Sequence, residues 1–388
     1  MNAKRIRVCH LITSFWTGHG PSKCIMAQIQ GHGLREFDFS IWSLYAPPSA
    51  QDPQEMLRKA GLGYRVFPMG PSFLDVRVLL PLVRQLRREP PDILHCHLLR
   101  ANLYGRIAAR LAGVRNVIST AHGVDGYVTG SAPVSISLRL LERLSAGWVT
   151  KYVAVSETTR RAIIKHLRLD PGKIVTILNS LDLEPFQRRT RDKSLVRAQF
   201  GLSPEAVVVG SVGNLLPLKN YASLVRWVGE LAPAFPQVQL VIFGDGEERL
   251  ALESLLGELN LTDKVRLPGF HHDIPELLGA MDIFAFPSLS EGLSIALLEA
   301  MAAGLPCVVM DVGGNAEAVR DGQTGYVVPW GDGEQFRGAL TLLLKDAGLR
   351  KKLGAAGKNR AFTLFNPKRQ AAQYTELYRS VLHLNPDR

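Results

Sequence analysis

The chain has 388 residues, of which 46% are hydrophobic and 21% are charged. This length exceeds one ordinary core and suits two domains of roughly 180 residues each, and the composition excludes a disordered chain. The net charge is +11, and residues 1–185 carry all of it, because acidic and basic residues balance in the remainder. A basic half predicts a partner with negative charge: an anionic lipid surface, an acidic or phosphorylated acceptor, or nucleic acid. Nucleic acid is the least favoured of these, since no known nucleic-acid motif accompanies the charge.

The cysteines and the apolar runs predict the compartment. Cys9, Cys24, Cys96 and Cys307 have no CxxC spacing and fall mostly in apolar runs, so we expect buried thiols and neither zinc ligands nor a disulfide framework. The apolar run near the N-terminus is too short for a signal peptide, and no stretch reaches the ~18 apolar residues that a membrane span needs. We therefore expect a cytoplasmic protein that can rest on the inner face of the membrane.

In the first half, strand-like and helix-like segments alternate. Residues 5–13 predict a first buried strand, followed by a loop with Gly18 and Gly20 and a helix from about Pro21. Small residues after a first strand let a ligand approach the backbone, although a plain tight turn explains them equally well. Further strands are predicted at 37–44, 64–69, 92–97, 116–122, 152–156 and from 173. The alternation predicts a parallel, doubly wound sheet.

Three histidines lie at or near strand ends in this half. His95 and His97 are spaced i and i+2, so they share a face of a strand and could form a metal pair. No third ligand is evident in the sequence, so structural roles are favoured for both. His122 comes directly before Gly123 at the end of a strand, where a side chain that hydrogen-bonds a ligand is expected.

A second alternation begins with a strand at 206–213, a loop at 214–220 and a helix from Tyr221. Strands are predicted at 239–244, 265–270, 282–286 and 306–312, and a closing helix at 365–382. The turn at 244–248 has two glycines and two glutamates but lacks the third glycine of a dinucleotide fingerprint. The polar stretch 187–193 is typical of an exposed linker.

The stretch 286–304 contains two acids in different settings. The helix is predicted to begin near Ser294, which can cap it, and to end at Gly304. Glu291 then lies in the turn before the helix, and Glu299 lies inside it among small apolar residues, where a carboxylate needs a partner such as a ligand hydroxyl. The alternative is a solvated turn residue and the polar face of an amphipathic helix.

The spacing Glu291-x7-Glu299 inside EGLSIALLEAMAAGLPCV, followed by GGNAEAVRDGQTGYVV, resembles the signature of retaining glycosyltransferases of family 4, the glycogen-synthase-like group 1. Both flanks match as well as the pair itself. The resemblance implies the α/β fold called GT-B, with two doubly wound Rossmann-like domains facing across a cleft. It implies an acceptor domain at 1–186, on which the C-terminal helix 366–388 packs back, and a nucleotide-sugar donor domain at 187–365.

The resemblance also implies a role for each matching position. Glu299 would accept hydrogen bonds from the ribose, Glu291 would bind the sugar, and His122 would lie beside the sugar. Lys219 would bind the diphosphate, together with the backbone N–H groups of the first helical turn, at Ser294, Ile295 and Ala296.

Other positions match the family less closely. Asn214 stands where the family has an arginine that binds the diphosphate, and the first glycine loop, with Gly18 and Gly20, lacks the usual adjacent pair. Gly244 would line the cleft, and Phe270 would flank the nucleobase.

The implied reaction transfers a sugar, most simply from a UDP-sugar, to a hydroxyl of a glycan or lipid-linked acceptor with retention at the anomeric carbon. The leaving phosphate would take the acceptor's proton, so no protein base, metal or cofactor is expected. Residues 123–134 could contact an acceptor lipid, and a mobile surface loop explains them equally well. A sugar-nucleotide 2-epimerase is one alternative. Because of Asn214, a non-catalytic protein that binds sugar nucleotides is another.

Overall fold

The computed structural model describes residues 5–32, 36–70, 75–123, 140–188 and 192–382. The chain divides into two compact units, the first made of residues 1–180 and 367–388 and the second of residues 181–366. The division thus falls six residues before the boundary expected at 186. Among the described residues, no helix combines the length and the apolar character that a membrane crossing requires.

Unit 1 contains a seven-stranded sheet in the order β3-β2-β1-β4-β5-β6-β7, with every neighbouring pair parallel. Its strands are β1 (Ile6–Ser14), β2 (Phe37–Tyr45), β3 (Gly63–Val66), β4 (Ile93–His97), β5 (Val117–Ala121), β6 (Lys151–Ala154) and β7 (Ile174–Thr176). Its named helices are α1 (Gly20–His32), α2 (Gln54–Lys59), α3 (Leu79–Arg88), α4 (Leu99–Ala112), α5 (Glu157–Leu167) and α14 (Pro367–Val381).

The C-terminal helix α14 packs on α1, far from it in sequence. Gln28 Nε2 donates to Tyr378 Oη over 2.7 Å. A Cβ atom on Gly31 would lie 2.4 Å from the Pro367 carbonyl oxygen, so the two helix backbones are in contact there. Helix α14 therefore forms part of the core of unit 1, and its tyrosines Tyr374 and Tyr378 are buried there.

Unit 2 contains a six-stranded parallel sheet in the order β10-β9-β8-β11-β12-β13. Its strands are β8 (Val207–Val212), β9 (Val238–Phe243), β10 (Val265–Gly269), β11 (Ile283–Phe286), β12 (Cys307–Met310) and β13 (Gly325–Val328). Its helices are α6 (Lys193–Gln199), α7 (Tyr221–Leu231), α8 (Arg249–Glu258), α9 (Ile274–Gly279), α10 (Ile295–Ala303), α11 (Asn315–Ala318), α12 (Gly333–Lys345) and α13 (Ala347–Leu364).

The predicted strands are confirmed within a few residues at each end, and the predicted doubly wound sheets are confirmed in both units. All four cysteines are buried and free, as expected. Strand β13 had not been predicted. Of the exposed linker expected at 187–193, residues 189–191 lie outside the described residues, and Lys193 already begins α6.

The strand order reverses between β8 and β11 in unit 2 and between β1 and β4 in unit 1. Because all strands of each sheet are parallel, their carboxyl ends lie along one edge, and the loops at a reversal diverge to opposite faces of the sheet. Open α/β proteins bind ligands at such points. The loops after β8 and β11 are 213–220 and 287–294, which hold several of the predicted site residues.

Candidate active site

In unit 2, the loops that follow β8 and β11 are joined by hydrogen bonds. The backbone N–H of Leu289 donates to the carbonyl of Leu218 over 2.8 Å, and Asn220 Nδ2 donates to the carbonyl of Pro287 over 3.4 Å. These bonds fix the short 3₁₀ turn that ends in Lys219 against the turn that carries Glu291. The two residues therefore meet although 72 positions separate them in the chain.

Lys219 and Glu291 form a largely buried ion pair. Lys219 Nζ lies 2.5 Å from Glu291 Oε1, with side chains that are 20% and 11% exposed. The same Nζ lies 5.0 Å from the centre of the Phe286 ring, a distance at which an aromatic face attracts a cation. The ammonium group is thus held at the strand-order reversal by a carboxylate and a ring, and a ligand phosphate could compete for it.

Glycines allow the neighbouring loops to approach this pair closely. Gly313 has φ +53°, and a Cβ atom there would lie 2.1 Å from the carbonyl oxygen of Glu291. The backbone N–H of Gly314 donates to the carbonyl of Gly292. The Gly313–Gly314 turn after β12 therefore packs directly against the backbone of the turn that carries Glu291. A side chain at Gly313 would prevent this contact.

Gly244, expected to line the ligand site, lies after β9 with φ +145°. A Cβ atom there would come within 1.9 Å of the carbonyl oxygen of Gly213, at the end of β8. Gly244 therefore has a packing role: without a side chain, it lets the loop after β9 contact the loop after β8 through their backbones.

Helix α10 begins at Ile295 directly after this turn. Ser294 occupies the N-cap position with extended backbone, but its side chain makes no capping hydrogen bond, so the expectation that Ser294 caps the helix through its side chain is wrong. The N–H groups of the first turn, including those of Ile295 and Ala296, have no partners within the helix itself and carry the positive end of its dipole. At the other end, Gly304 has φ +84° and ends the helix as predicted.

Glu299 lies in the middle of α10 and is 7% exposed. Its neighbours Leu298, Ala300 and Met301 are fully buried. The alternative in which Glu299 belongs to a solvated polar helix face is therefore wrong, and the expectation of a carboxylate inside apolar surroundings is confirmed.

Asn214 and Phe270 are both exposed. Asn214 follows β8 in the loop that ends at Lys219, so the amide stands near the ion pair in sequence but supplies no positive charge. Phe270 follows Gly269 at the end of β10, is 39% exposed, and its ring lies 4.8 Å from that of His272, edge to face. An exposed ring at the ligand edge of the sheet suits stacking against a flat base.

In unit 1, the loop after β1 holds the two predicted glycines. Gly18 lies in a turn, and Gly20 is the first residue of α1, one position before the predicted start. Between them, His19 lies with its ring 4.6 Å from that of Trp16. Burial lowers the pKa of His19 to about 4.

His122 follows β5 and is half-buried, at the end of a row of histidine rings. Its Nε2 lies 3.2 Å from His97 Nδ1, and His97 Nε2 lies 2.9 Å from His10 Nδ1. Burial lowers the pKa of His10 and of His122 to about 3, and His19 acts in the same direction on His122. No local sequence pattern marks His10 as part of this row. Its position on β1 opposite His95 on β4 depends on strand register, which no local pattern reveals.

The third histidine that a metal site would need is therefore present. One ring nitrogen from each of His10, His95 and His97 lies within 4.8 Å of the others. Each ring is also hydrogen-bonded: His95 Nδ1 lies 2.8 Å from Tyr378 Oη, and His95 Nε2 lies 2.7 Å from Thr120 Oγ1.

The segment expected to contact an acceptor lipid, 123–134, lies outside the described residues except for Gly123.

Family models and sequence relatives cover both units. Residues 192–360 match the family model for glycosyl transferases group 1, and residues 31–185 match that for glycosyltransferase family 4. The chain is 33% identical over 308 residues to UDP-Gal:alpha-D-GlcNAc-diphosphoundecaprenol alpha-1,3-galactosyltransferase of Escherichia coli, covering 78% of this chain and 79% of that protein. It is 28% identical over 322 residues to N-acetyl-alpha-D-glucosaminyl L-malate synthase of Bacillus anthracis, covering 82% of each.

Solved structures share the fold at lower identity. HepE of Anabaena in complex with UDP-glucose superposes with a TM-score of 0.82 at 21% identity, covering 97% of this chain and all of that chain. Sucrose-phosphate synthase of Thermosynechococcus elongatus gives a TM-score of 0.81 at 20% identity, covering 98% of this chain and all of that chain.

Proposed function

The chain belongs to family 4 of the glycosyltransferases, the group 1 enzymes of the GT-B fold, and from this membership we propose that it moves a sugar from a UDP-sugar to an acceptor hydroxyl. The observation that carries the proposal is the ion pair of Lys219 and Glu291 beside the first turn of α10 at the strand-order reversal of unit 2. This arrangement offers a cation, a carboxylate and free backbone N–H groups together. Those are the groups needed to bind a diphosphate and a sugar.

The diphosphate would bind to Lys219 and to the N–H groups at the start of α10. Cleavage of the bond between the anomeric carbon and the phosphate oxygen places negative charge on the leaving phosphate. Preorganised cations and N–H groups lower the barrier when they stabilise that charge more than they stabilise the bound donor. Anions bind readily at a helix N-terminus because several N–H groups point outward there.

The carboxylates would bind hydroxyl groups. Glu299 would accept hydrogen bonds from the ribose, and Glu291 would accept them from the sugar once Lys219 shifts toward the phosphate. Phe270 would stack against the uracil, and His122 of unit 1 would contact the sugar. We further propose retention of configuration with the leaving phosphate as the base and without a metal ion.

The acceptor would be a glycan or a lipid-linked sugar, in keeping with the diphosphoundecaprenol substrate named for the Escherichia coli relative. Unit 1 would rest on an anionic membrane surface. Helix α3 supports this, because Leu80 is 56% exposed and its neighbours Arg84, Arg87 and Arg88 are exposed as well. Co-sedimentation with phosphatidylglycerol vesicles but not with phosphatidylcholine vesicles is the expected result, and equal binding to both would contradict it.

A thermal-shift screen against UDP, GDP, ADP and their common sugars tests the donor. A nucleotide present at 100 times its Kd stabilises the folded protein by about 2.7 kcal/mol. We expect UDP and one UDP-sugar to raise the Tm of the wild type and to lose most of this effect in Glu299→Ala. If UDP binds but none of the acceptors tested leads to release of UDP from a UDP-sugar, the transferase proposal fails. The alternative that Asn214 favours, a non-catalytic protein that binds sugar nucleotides, then takes its place.

Replacing Glu291 by glutamine should separate binding from turnover. Because Glu291 neutralises Lys219 in the free protein, Glu291→Gln leaves the ammonium available to a diphosphate, and UDP should bind roughly fivefold tighter, a gain of about 1 kcal/mol. Sugar transfer should fall in the same variant, since the carboxylate no longer accepts from the sugar. Calorimetric titration with UDP measures the first effect, with the exposed Glu334→Gln as the matched control. Weaker UDP binding by Glu291→Gln would contradict the proposed competition.

A further inference from the structure

The histidines His10, His97 and His122 of unit 1 form a continuous hydrogen-bonded row that ends at His122, directly after the carboxyl end of β5. The row runs from His10 Nδ1 to His97 Nε2 over 2.9 Å and from His97 Nδ1 to His122 Nε2 over 3.2 Å. His10 is fully buried and His97 is 1% exposed. Within the described residues, no further hydrogen bond involves His122 Nδ1, so that atom is the end of the row that a ligand can meet.

Each ring in the row is neutral near pH 7. Burial lowers the pKa of His10 and of His122 to about 3 and lowers the pKa of His97 well below its usual value. A neutral imidazole carries one proton, either on Nδ1 or on Nε2. Each hydrogen bond in the row needs one proton between its two nitrogens, so the three rings must all carry the proton on Nδ1 or all carry it on Nε2.

The inner end of the row distinguishes these two arrangements. His10 Nε2 is buried and has no hydrogen-bond partner. If the protons were on Nε2, a buried N–H group would be left without an acceptor. If they are on Nδ1, only a lone pair is left unused. Orphaned buried N–H groups are rarer in proteins than unused acceptors, because leaving a donor unpaired in an apolar interior is costly.

His95, beside the row, should have the opposite proton position. Gln28 Nε2 donates to Tyr378 Oη, so the Tyr378 hydroxyl proton is directed to His95 Nδ1, 2.8 Å away. The proton of His95 then lies on Nε2 and is donated to Thr120 Oγ1 over 2.7 Å. His95 thus provides an internal reference within the same cluster.

We propose that His10 and His97 act as positioning residues that hold His122 as a neutral imidazole with its proton on Nδ1, so that His122 donates a hydrogen bond to an oxygen atom of the substrate. This inference rests on the proposed function, which assigns that oxygen to the sugar of the donor. With Nε2 occupied by His97 and Nδ1 already protonated, His122 has no lone pair available for a proton. It therefore cannot serve as the base that deprotonates the acceptor hydroxyl, and another group must accept that proton.

The proton positions can be measured in the wild-type protein without any substrate. Two-bond and three-bond ¹H–¹⁵N correlations of histidine rings distinguish Nδ1–H from Nε2–H. We expect the Nδ1–H pattern for His10, His97 and His122 and the Nε2–H pattern for His95, with signals assigned by single substitutions. The Nε2–H pattern in His122 would overturn the proposal. So would one equivalent of metal found by elemental analysis on His10, His95 and His97, because metal ligation would replace the hydrogen bonds of the row.

Two substitutions of His97 test whether the row sets the state of His122. His97→Gln keeps an acceptor oxygen for His10 and a donor N–H for His122, whereas His97→Phe keeps neither. We expect His122 to retain the Nδ1–H pattern in His97→Gln and to show a mixture of both patterns in His97→Phe. An unmixed Nδ1–H pattern in folded His97→Phe would show that His97 does not position His122.

Binding separates this proposal from the proposed function. His122→Phe should weaken UDP-glucose about fivefold relative to wild type, the usual effect of one lost neutral hydrogen bond, and leave UDP unchanged. If the ring protons lie as expected but the ratio of the two affinities does not change, the row stands and the contact with the sugar is wrong. If neither UDP nor UDP-glucose binds the wild type, the proposed function fails while the ring assignments remain valid.

Discussion

Replacing Lys219 by methionine should lower sugar transfer by roughly 10²- to 10³-fold. Removing one preorganised group that stabilises transition-state charge costs about 2.7–4 kcal/mol in enzymes, and Lys219 is the cation that the structure holds at the strand-order reversal of unit 2. Asn214, at the position where the family has an arginine, supplies no second charge. The loss should therefore exceed what a family member with both cations would show. Release of UDP from the UDP-sugar, followed at saturating donor, measures it.

Lys219→Met has two effects that must be distinguished: it removes the catalytic cation, and it leaves the negative charge of Glu291 without its partner. The unpaired carboxylate of Glu291, which is 11% exposed, by itself destabilises the turn and repels a diphosphate. The double variant Lys219→Met/Glu291→Gln removes this repulsion. We expect it to recover UDP binding in part but not turnover. The exposed Lys352→Met should behave like wild type, and transfer by Lys219→Met within threefold of wild type would contradict the assigned role.

The order of elements around the site could be predicted because each was marked locally. Glycine and proline end helix α10, apolar runs mark β8 and β11, and the small residues around Glu299 predict its burial. Parallel pairing then brings the loops after β8 and β11 to one edge, so Lys219 and Glu291 were both expected there. Their direct contact was not predicted, because side-chain pairing across loops leaves no periodic signal.

The missed features depend on long-range packing. His10 joins the histidine row only because β1 pairs with β4 in a register that places it opposite His95. Strand β13 lies at the sheet edge, where it pairs with β12, and its short apolar run at 326–328 follows directly on a turn. Ser294 has the residue type and backbone of a capping residue, but its hydroxyl makes no bond to the helix. A propensity predicts a cap position, whereas tertiary contacts decide which hydrogen bonds form there.

Acid should unfold unit 1 at a higher pH than unit 2. Four histidines of unit 1 that lie in or beside the row have pKa values lowered mainly by burial, namely His10, His95, His97 and His122. A histidine whose folded pKa lies below its unfolded value of about 6.5 binds its proton only after unfolding, so its effect on stability is absent above pH 6.5 and grows as the pH falls toward the folded pKa. For His10, with a folded pKa of about 3, the cost at pH 5 is about 2 kcal/mol.

His122, with a folded pKa of about 3, has a cost similar to that of His10, and the lowered pKa values of His95 and His97 act in the same direction. Unit 1 should therefore lose a large part of the unfolding free energy of an ordinary domain between pH 7 and pH 5. Unit 2 has only His271 and His272, and carboxylates titrate mainly below about pH 4.5, outside this window. Hydrogen exchange followed by mass spectrometry at pH 7, 6 and 5 should show β1, β4 and β5 losing protection before β8 and β11. His10→Gln should make the pH dependence of the unfolding free energy shallower by about 1.4 kcal/mol per pH unit. Equal protection of both units at pH 5, or a His10→Gln slope like that of wild type, would show that these buried rings are not what sets the acid limit of the fold.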